Sequence, residues 1–299
     1  MIKKANQTLN LVTAAMEEDQ GVRFKQIYFD QVAKGERPKL RKADGRSPRV
    51  GPSVVASPCD RRIWLKFRWG IVEALTAKAI RIFQRGYLEE PRIIAALILA
   101  GLDVTTEDVD GKPYRFRAMR DCYGGFLDAM VSKLPETGKP AVLEFKTAND
   151  NSFQRLVALG VEKAQPSHYF QMQQYMGQRN VRNALYISVN KNTEEWWAEV
   201  VDFNPEQYGA DFERVDRILM SNAMPERTTD MDACRWCENN RYCWGSRPLD
   251  VSCRTCRYVT LVEGEWYCTN REDPTAAVLS LGEQKKGCEN YNQLDQINL

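Results

Sequence analysis

The chain has 299 residues, 43% of them hydrophobic and 27% charged, with a net charge of +2. This composition is that of a globular protein of one large domain or two, and the near-balanced charge excludes binding to nucleic acid through bulk charge alone. The longest apolar run, AALILAGL at 95–102, is too short to span a bilayer, and MIKKANQTLNLVTAAMEEDQ has no signal-peptide core or cleavage site, which predicts a cytoplasmic protein.

Residues 1–50 read as an N-terminal helix followed by a basic arm. From Lys34 to Arg49 the segment carries seven basic residues against two acidic ones. A flexible arm that touches phosphates and a solvated linker both fit it. SPCDRRIWLKFRW at 57–69 predicts a helix with Ser57 as N-cap and Pro58 in the first turn. Residues 76–100 predict another, with apolar positions Ile80, Phe83, Tyr87, Ile94, Leu97 and Ile98. Phe126–Val131 and Ala141–Thr147 read as strands around the turn-rich PETGKP. Pro166 opens a helix expected to end at Gly177, and NALYISVN (183–190) and EWWAEVVDF (195–203) form a second strand pair. PEQYGADFERVDRILMSNAM (205–224) is an amphipathic helix. Helices alternating with strand pairs predict an α/β or α+β core, a central mixed sheet flanked by helices, with a cysteine-rich C-terminal module. The expected divisions are 1–50, 51–245 and 246–299.

AVLEFKT at 141–147 places Glu144 and Lys146 in a run whose other members suit a buried strand. If GFLDAMV and AVLEFKT pair across a turn centred on Glu136, opposed positions sum to 272. Asp128 then faces Glu144, and Met130 faces Val142. Opposed side chains lie about 5 Å apart at Cβ, so two carboxylates there repel unless a cation lies between them. Oxygen ligands at that separation suit Mg2+ or Mn2+. Lys146 shares the face of Glu144. A wet face on an edge hairpin also explains these residues taken alone.

Further motifs carry a resemblance. RGYLEEP at 85–91, GGFLDAMV, AVLEFKT and the QxxxY of HYFQMQQYM at 168–176 follow one another in the order seen in the PD-(D/E)xK nuclease superfamily. They resemble its RecB-like and lambda-exonuclease (YqaJ)-like branch over about 50–245. The resemblance implies a restriction-endonuclease-like fold and Mg2+- or Mn2+-dependent hydrolysis of DNA phosphodiesters. Glu90, rather than Glu89, joins Asp128, Glu144 and the Phe145 carbonyl as metal ligands. Lys146 orients or activates the attacking water, and Gln171 and Tyr175 position the phosphate. Arg61, Arg62, Lys66, Arg68, Arg81 and Arg85 are candidate DNA-backbone contacts, although a solvated face explains each of them as well.

Nine cysteines without a secretion signal point to metal ligation rather than disulfides. CRWCENNRYC supplies Cys234, Cys237 and Cys243, and Cys59 can complete a four-thiolate set. A lone Cys before the nuclease core and C-x2-C-x5-C after it resemble the iron–sulfur members of this branch, such as AddB and the CRISPR-associated exonucleases. That implies a 4Fe–4S cluster, with Trp236, Tyr242 and Trp244 as its shield. Cys253, Cys256, Cys268 and Cys288 then form a second set suited to Zn2+. A rival allocation groups Cys234 and Cys237 with Cys253 and Cys256 as one zinc ribbon. Cys122 remains as an isolated buried thiol.

A single His excludes a His-rich zinc hydrolase or HExxH site, and the lack of GxSxG and GxxxxGK[ST] argues against an α/β-hydrolase and a built-in ATP motor. The expected function is a DNA exonuclease of phage or bacterial recombination, acting on linear or single-stranded ends, with an annealing or helicase partner. An endonuclease on the same fold and an inactive DNA-binding scaffold are the rivals.

Overall fold

The computed structural model describes residues 2–34, 45–273 and 277–294, so positions 35–44 of the basic arm lie outside the described residues. In chain order the first elements are α1 (Asn6–Asp19), α2 (Val22–Lys34), α3 (Pro52–Val55), α4 (Asp60–Phe67), α5 (Ala77–Leu99), β1 (Val104–Thr105), β2 (Arg115–Ala118), β3 (Tyr123–Phe126), β4 (Ala129–Val131) and β5 (Ala141–Ala148). There follow α6 (Asp150–Ala164), α7 (Pro166–Arg179), β6 (Asn183–Asn190), β7 (Trp196–Asp202), α8 (Pro205–Met220), α9 (Met231–Arg235), α10 (Asn240–Cys243), β8 (Val259–Val262), β9 (Glu265–Cys268) and α11 (Leu281–Gln284). No described helix is long and apolar enough to cross a membrane.

The chain forms two compact units. The first comprises Met1–Leu40, Leu75–Phe116 and Phe126–Tyr208. Its mixed five-stranded sheet has the order β1-β4-β5-β6-β7. β4 and β5 are antiparallel, with Ala129 opposite Leu143 and Met130 opposite Val142, the register expected from the turn. β5 and β6 are parallel from Ala141–Asn183 to Ala148–Asn190. A parallel pair needs a long connection, and α6 and α7 supply it. β5 is therefore a central strand, and all of Ala141–Phe145 is buried. This overturns the edge-hairpin reading of AVLEFKT.

Leu143 and Phe145 enter one core with Ile93 and Leu97 of α5 and Leu185, Ile187 and Val189 of β6. Alternation along the strand sends Glu144 and Lys146 to the opposite face. Thr76 caps α5, its side chain accepting the Ala79 N–H at 3.1 Å, a contact worth about 1 kcal/mol. Only the second half of α5 is buried; Ile80, Phe83 and Tyr87 are exposed.

Local differences from the expected elements have physical causes. The predicted strand 126–131 is broken at Leu127–Asp128. Asp128 instead accepts the Phe145 N–H at 3.0 Å through Oδ2. α6, for which no element is predicted, is capped by Asn149, whose side chain accepts the Ser152 N–H. Inside α6, Gly160 has φ +74°, and the buried Glu199 carboxylate accepts the next N–H, that of Val161, at 2.9 Å. α7 continues past Gly177 to Arg179 and ends on the left-handed Asn180. Gly177 is required by packing: a Cβ there would lie 2.4 Å from Cε2 of Tyr208.

The second unit comprises Arg41–Ala74, Arg117–Gly125 and Gly209–Leu299. α4 begins at Asp60 with Cys59 as N-cap, two residues after the predicted Ser57. Arg68 and Arg254 are buried, and burial pulls both guanidinium groups down to about 9. Arg254 lies over Trp69 at 3.9 Å and over Trp266 at 4.5 Å, and donates to Gln284 Oε1 and to the Phe67 carbonyl. Arg68 lies over Trp64 and Trp266. Arg254 and Trp266 thus pack with Phe67 of α4, and Arg254 also with Trp69 just after it.

Gly177→Ala is expected to cost about 1–3 kcal/mol through overpacking against Tyr208. The midpoint of urea denaturation checks it, and Gly177→Ala/Tyr208→Ala should recover part of the loss.

Candidate active site

Glu144, Lys146, Asp128, Glu90, Gln171 and Tyr175 all lie in the first unit. Asp128 sits in the bend before β4, Glu144 and Lys146 on β5, Glu90 on α5, and Gln171 and Tyr175 one helical turn apart on α7. Glu144 is 1% exposed. Its Oε1 is ion-paired with Lys146 Nζ, and its Oε2 accepts from Gln171 Nε2 at 3.3 Å. Gln171 Nε2 also donates to Tyr175 Oη at 3.0 Å, and Tyr175 in turn donates to the Phe126 carbonyl at 2.7 Å. Tyr175 is further held edge-on against Phe116. The chain from Glu144 through Gln171 and Tyr175 to the end of β3 fixes the two α7 side chains over β5.

Burial pushes the Glu144 carboxyl up to about 7, with the charges of Asp128 and Glu90 adding to the rise and Lys146 opposing it. Burial alone would lower Lys146. Glu144, Asp128 and Glu90 outweigh it, so the ammonium is raised above its ordinary value. Glu144 therefore stands at the edge of ionisation near neutral pH beside a firmly charged lysine. The two neighbouring carboxylates act on both groups, which places Glu90 within the field of the cluster. Glu89, the other candidate, is buried and ion-paired with Arg85 and Arg92, both at 3.4 Å.

His168 and Tyr186 extend the cluster. Tyr186 lies opposite Glu144 in the parallel register. Its hydroxyl is 2.9 Å from His168 Nδ1. Burial, with Lys146 adding, pulls His168 down to about 3, so its ring is neutral, and burial raises Tyr186. The sequence places His168 on the face of Gln171, but nothing in NALYISVN marks Tyr186. Only the β5–β6 register brings it to Glu144.

Several expected contacts are placed elsewhere. Arg61 and Arg68 are buried at 2% and 1% exposure, so neither reaches a DNA backbone. The Arg61 Nε donates to the Pro225 carbonyl at 2.6 Å. Arg62 pairs with Glu238 at 3.0 Å, and Arg85 with Glu89 and Glu194.

None of the nine cysteines forms a disulfide. Cys59, Cys234, Cys237 and Cys243 line one pocket within the second unit, together with Arg61 and Asn239. Burial raises the Cys237 and Cys243 thiols, with Arg61 opposing the rise at Cys243 and Cys59 and Cys234 adding to it. Burial likewise pushes Cys253 up to about 11, with Cys288, Cys256 and Cys268 each adding. The cysteines thus gather as two groups of four. Trp236 is 86% exposed and does not cover the first group; Tyr242 is fully buried and Trp244 lines the pocket. Cys122 is buried on its own. Among the described residues no three His, Cys, Asp or Glu side chains converge closely enough to hold a metal ion as they stand.

No family model and no curated protein matches the chain. Among solved structures it is similar to an alkaline exonuclease, LHK-Exo, from Laribacter hongkongensis. That likeness has 17% identity and a TM-score of 0.41, and covers 59% of this chain and 89% of that chain, both for the complex with dAMP and for a second structure. It is also similar to SSO0001, with 13% identity, a TM-score of 0.34, and 76% of this chain and 97% of that chain covered.

The rise of Glu144 from its ordinary 4.5 to about 7 is equivalent to about 3 kcal/mol in favour of the protonated form. The native state holds that proton between pH 4.5 and 7 while the unfolded chain loses it, so ligand-free stability falls as pH rises through this window. Glu144→Gln keeps the uncharged form. It should be about 1–3 kcal/mol more stable than the parent at pH 8, with the two converging below pH 4.5, as read by denaturant unfolding without divalent ions.

Proposed function

We propose that the chain is a divalent-metal-dependent deoxyribonuclease of the PD-(D/E)xK superfamily, in its RecB-like and lambda-exonuclease-like branch, and that it acts as an exonuclease. The observation that carries the reading is the buried Glu144 on a central strand, with Lys146, Asp128, Glu90 and Gln171 gathered on it. A protein that buries a carboxylate at the cost of its ionisation has local patterning in conflict with stability, which is characteristic of functional sites.

The donor set fits a hard divalent cation. Glu90, Asp128 and Glu144 supply carboxylate oxygens, and the Phe145 carbonyl can supply another. Mg2+ or Mn2+ bound there supplies Lewis acidity to a phosphodiester oxygen. The chain's own residues do the rest. Lys146, which pairs with Glu144, would supply an ammonium beside the site to orient water or a phosphate oxygen. Gln171 and Tyr175, already linked to each other, hold the phosphate by hydrogen bonds. The Phe145 N–H donates to Asp128 Oδ2 at 3.0 Å and so fixes the orientation of that carboxylate.

We also infer that Cys59, Cys234, Cys237 and Cys243 hold a 4Fe–4S cluster and that Cys253, Cys256, Cys268 and Cys288 hold zinc. The gathering of cysteines in these two groups supports this division over a ribbon of Cys234, Cys237, Cys253 and Cys256. The first group would join residues about 180 positions apart, a strong constraint on the unfolded chain.

Glu144→Ala and Lys146→Ala should each lower Mn2+-dependent cleavage of end-labelled linear DNA at least 100-fold while retaining DNA binding; unchanged cleavage refutes the site. Closed circular DNA should survive, and its prompt cutting would identify an endonuclease. Because Glu144 must lose its proton to take a cation, Mn2+ affinity measured by calorimetry should fall about tenfold per pH unit below pH 7.

A further inference from the structure

The pocket lined by Cys59, Cys234, Cys237 and Cys243 also contains polar atoms that lack partners. Arg61 projects from the first turn of α4 and is 2% exposed. Its Nε donates to the Pro225 carbonyl and its guanidinium side chain lies within hydrogen-bonding reach of the Cys243 thiol, while its Nη2 is buried with no further hydrogen-bond partner among the described residues. No described carboxylate forms an ion pair with Arg61. Asn239, 1% exposed between Cys237 and Cys243, has both side-chain polar atoms buried and unpartnered. The neighbouring cations are committed elsewhere: Arg62 is paired with Glu238, and Arg227 donates to the Cys243 carbonyl and lies over Trp244.

Leaving a buried donor unsatisfied costs about 1–3 kcal/mol, more when the group is charged. An unpaired buried cation costs several kcal/mol. A fold that retains both in the lining of a four-thiol pocket suits an anionic group that supplies acceptors there. Thiolates and the sulfides of an iron–sulfur cluster meet both needs, because they carry net negative charge and their sulfurs accept N–H bonds.

We propose that Arg61 is a positioning residue for the group held by these four cysteines, that its Nη2 donates to a sulfur of that group, and that its positive charge raises the group's reduction potential. This rests on the 4Fe–4S reading given above. Adding an electron to an already anionic cluster is opposed by Coulomb repulsion. A fixed guanidinium in a poorly solvated pocket favours the reduced form more than the oxidised one. The cluster is then more than a staple between Cys59 and α9–α10, since one side chain of α4 sets the potential at which it changes oxidation state.

The test uses the full chain purified without oxygen, with one-electron reduction by dithionite followed by electron paramagnetic resonance at controlled potentials. Arg61→Gln should lower the reduced-to-oxidised ratio at a fixed potential tenfold or more, equivalent to 59 mV for one electron, with iron and sulfide per chain unchanged. Arg61→Lys keeps the charge without the planar fork and should fall between the two. Equal midpoints for the parent and Arg61→Gln, each with an intact cluster, overturn the role of Arg61 and leave the cluster reading standing. Should Arg61→Gln not retain iron, Arg61→Lys decides: a lowered midpoint supports the role and an unchanged one overturns it. A colourless parent protein that contains zinc in place of iron overturns the cluster reading itself, and this inference with it.

Discussion

Glu144 is a carboxylate on the central strand of a sheet, in a position where the fold would otherwise place an apolar side chain. Its burial sets the conditions for everything around it. Lys146 must stay close and charged, Gln171 must reach from α7, and the β4 register must bring Asp128 to the adjacent backbone. Even with these partners, burial outweighs the lysine's attraction and holds the carboxyl near 7. A cation would relieve the repulsion among Glu144, Asp128 and Glu90, which supports the proposed binding site over a structural ion pair.

The second unit resolves a related problem of buried charge differently. Arg68 and Arg254 have no ion-pair partner among the described residues, but both lie over aromatic faces, and carbonyl or amide oxygens accept their N–H groups. Such stacking is worth about 2 kcal/mol when desolvated and helps to offset the cost of burying the charge. This is how the C-terminal segment gains a core despite its small size. Arg61 differs from them, since its Nη2 has no hydrogen-bond partner among the described residues and it lines one pocket with four cysteines.

Much of this was legible in the sequence. The hairpin register followed from the turn at PETGKP because a tight connection leaves few ways to pair two short strands. The α7 face followed from helical spacing, since Gln171 and Tyr175 are four residues apart. Other features were not legible. The roles of Arg61 and Arg68 were misread because an arginine in an amphipathic pattern is usually solvated, and only the aromatic and carbonyl partners supplied from distant segments allow it to be buried. Gly177 looked like a helix stop, whereas its reason is Tyr208, thirty-one positions away, pressed against the helix.

By itself the sequence determined the alternation of helices and strands, the choice of residue types with metal-binding chemistry, and the local register that sets Asp128 beside Glu144. These depend on spacing along the chain, and periodicity records spacing. Only the tertiary structure decided that β5 is central, that Tyr186, with its hydroxyl beside His168, lies opposite Glu144, and that Glu89 turns to Arg85 and Arg92. Each depends on which segments far apart in the chain meet, and on how much water they exclude. That exclusion turns ordinary carboxylates, guanidinium groups and thiols into groups with shifted charge states.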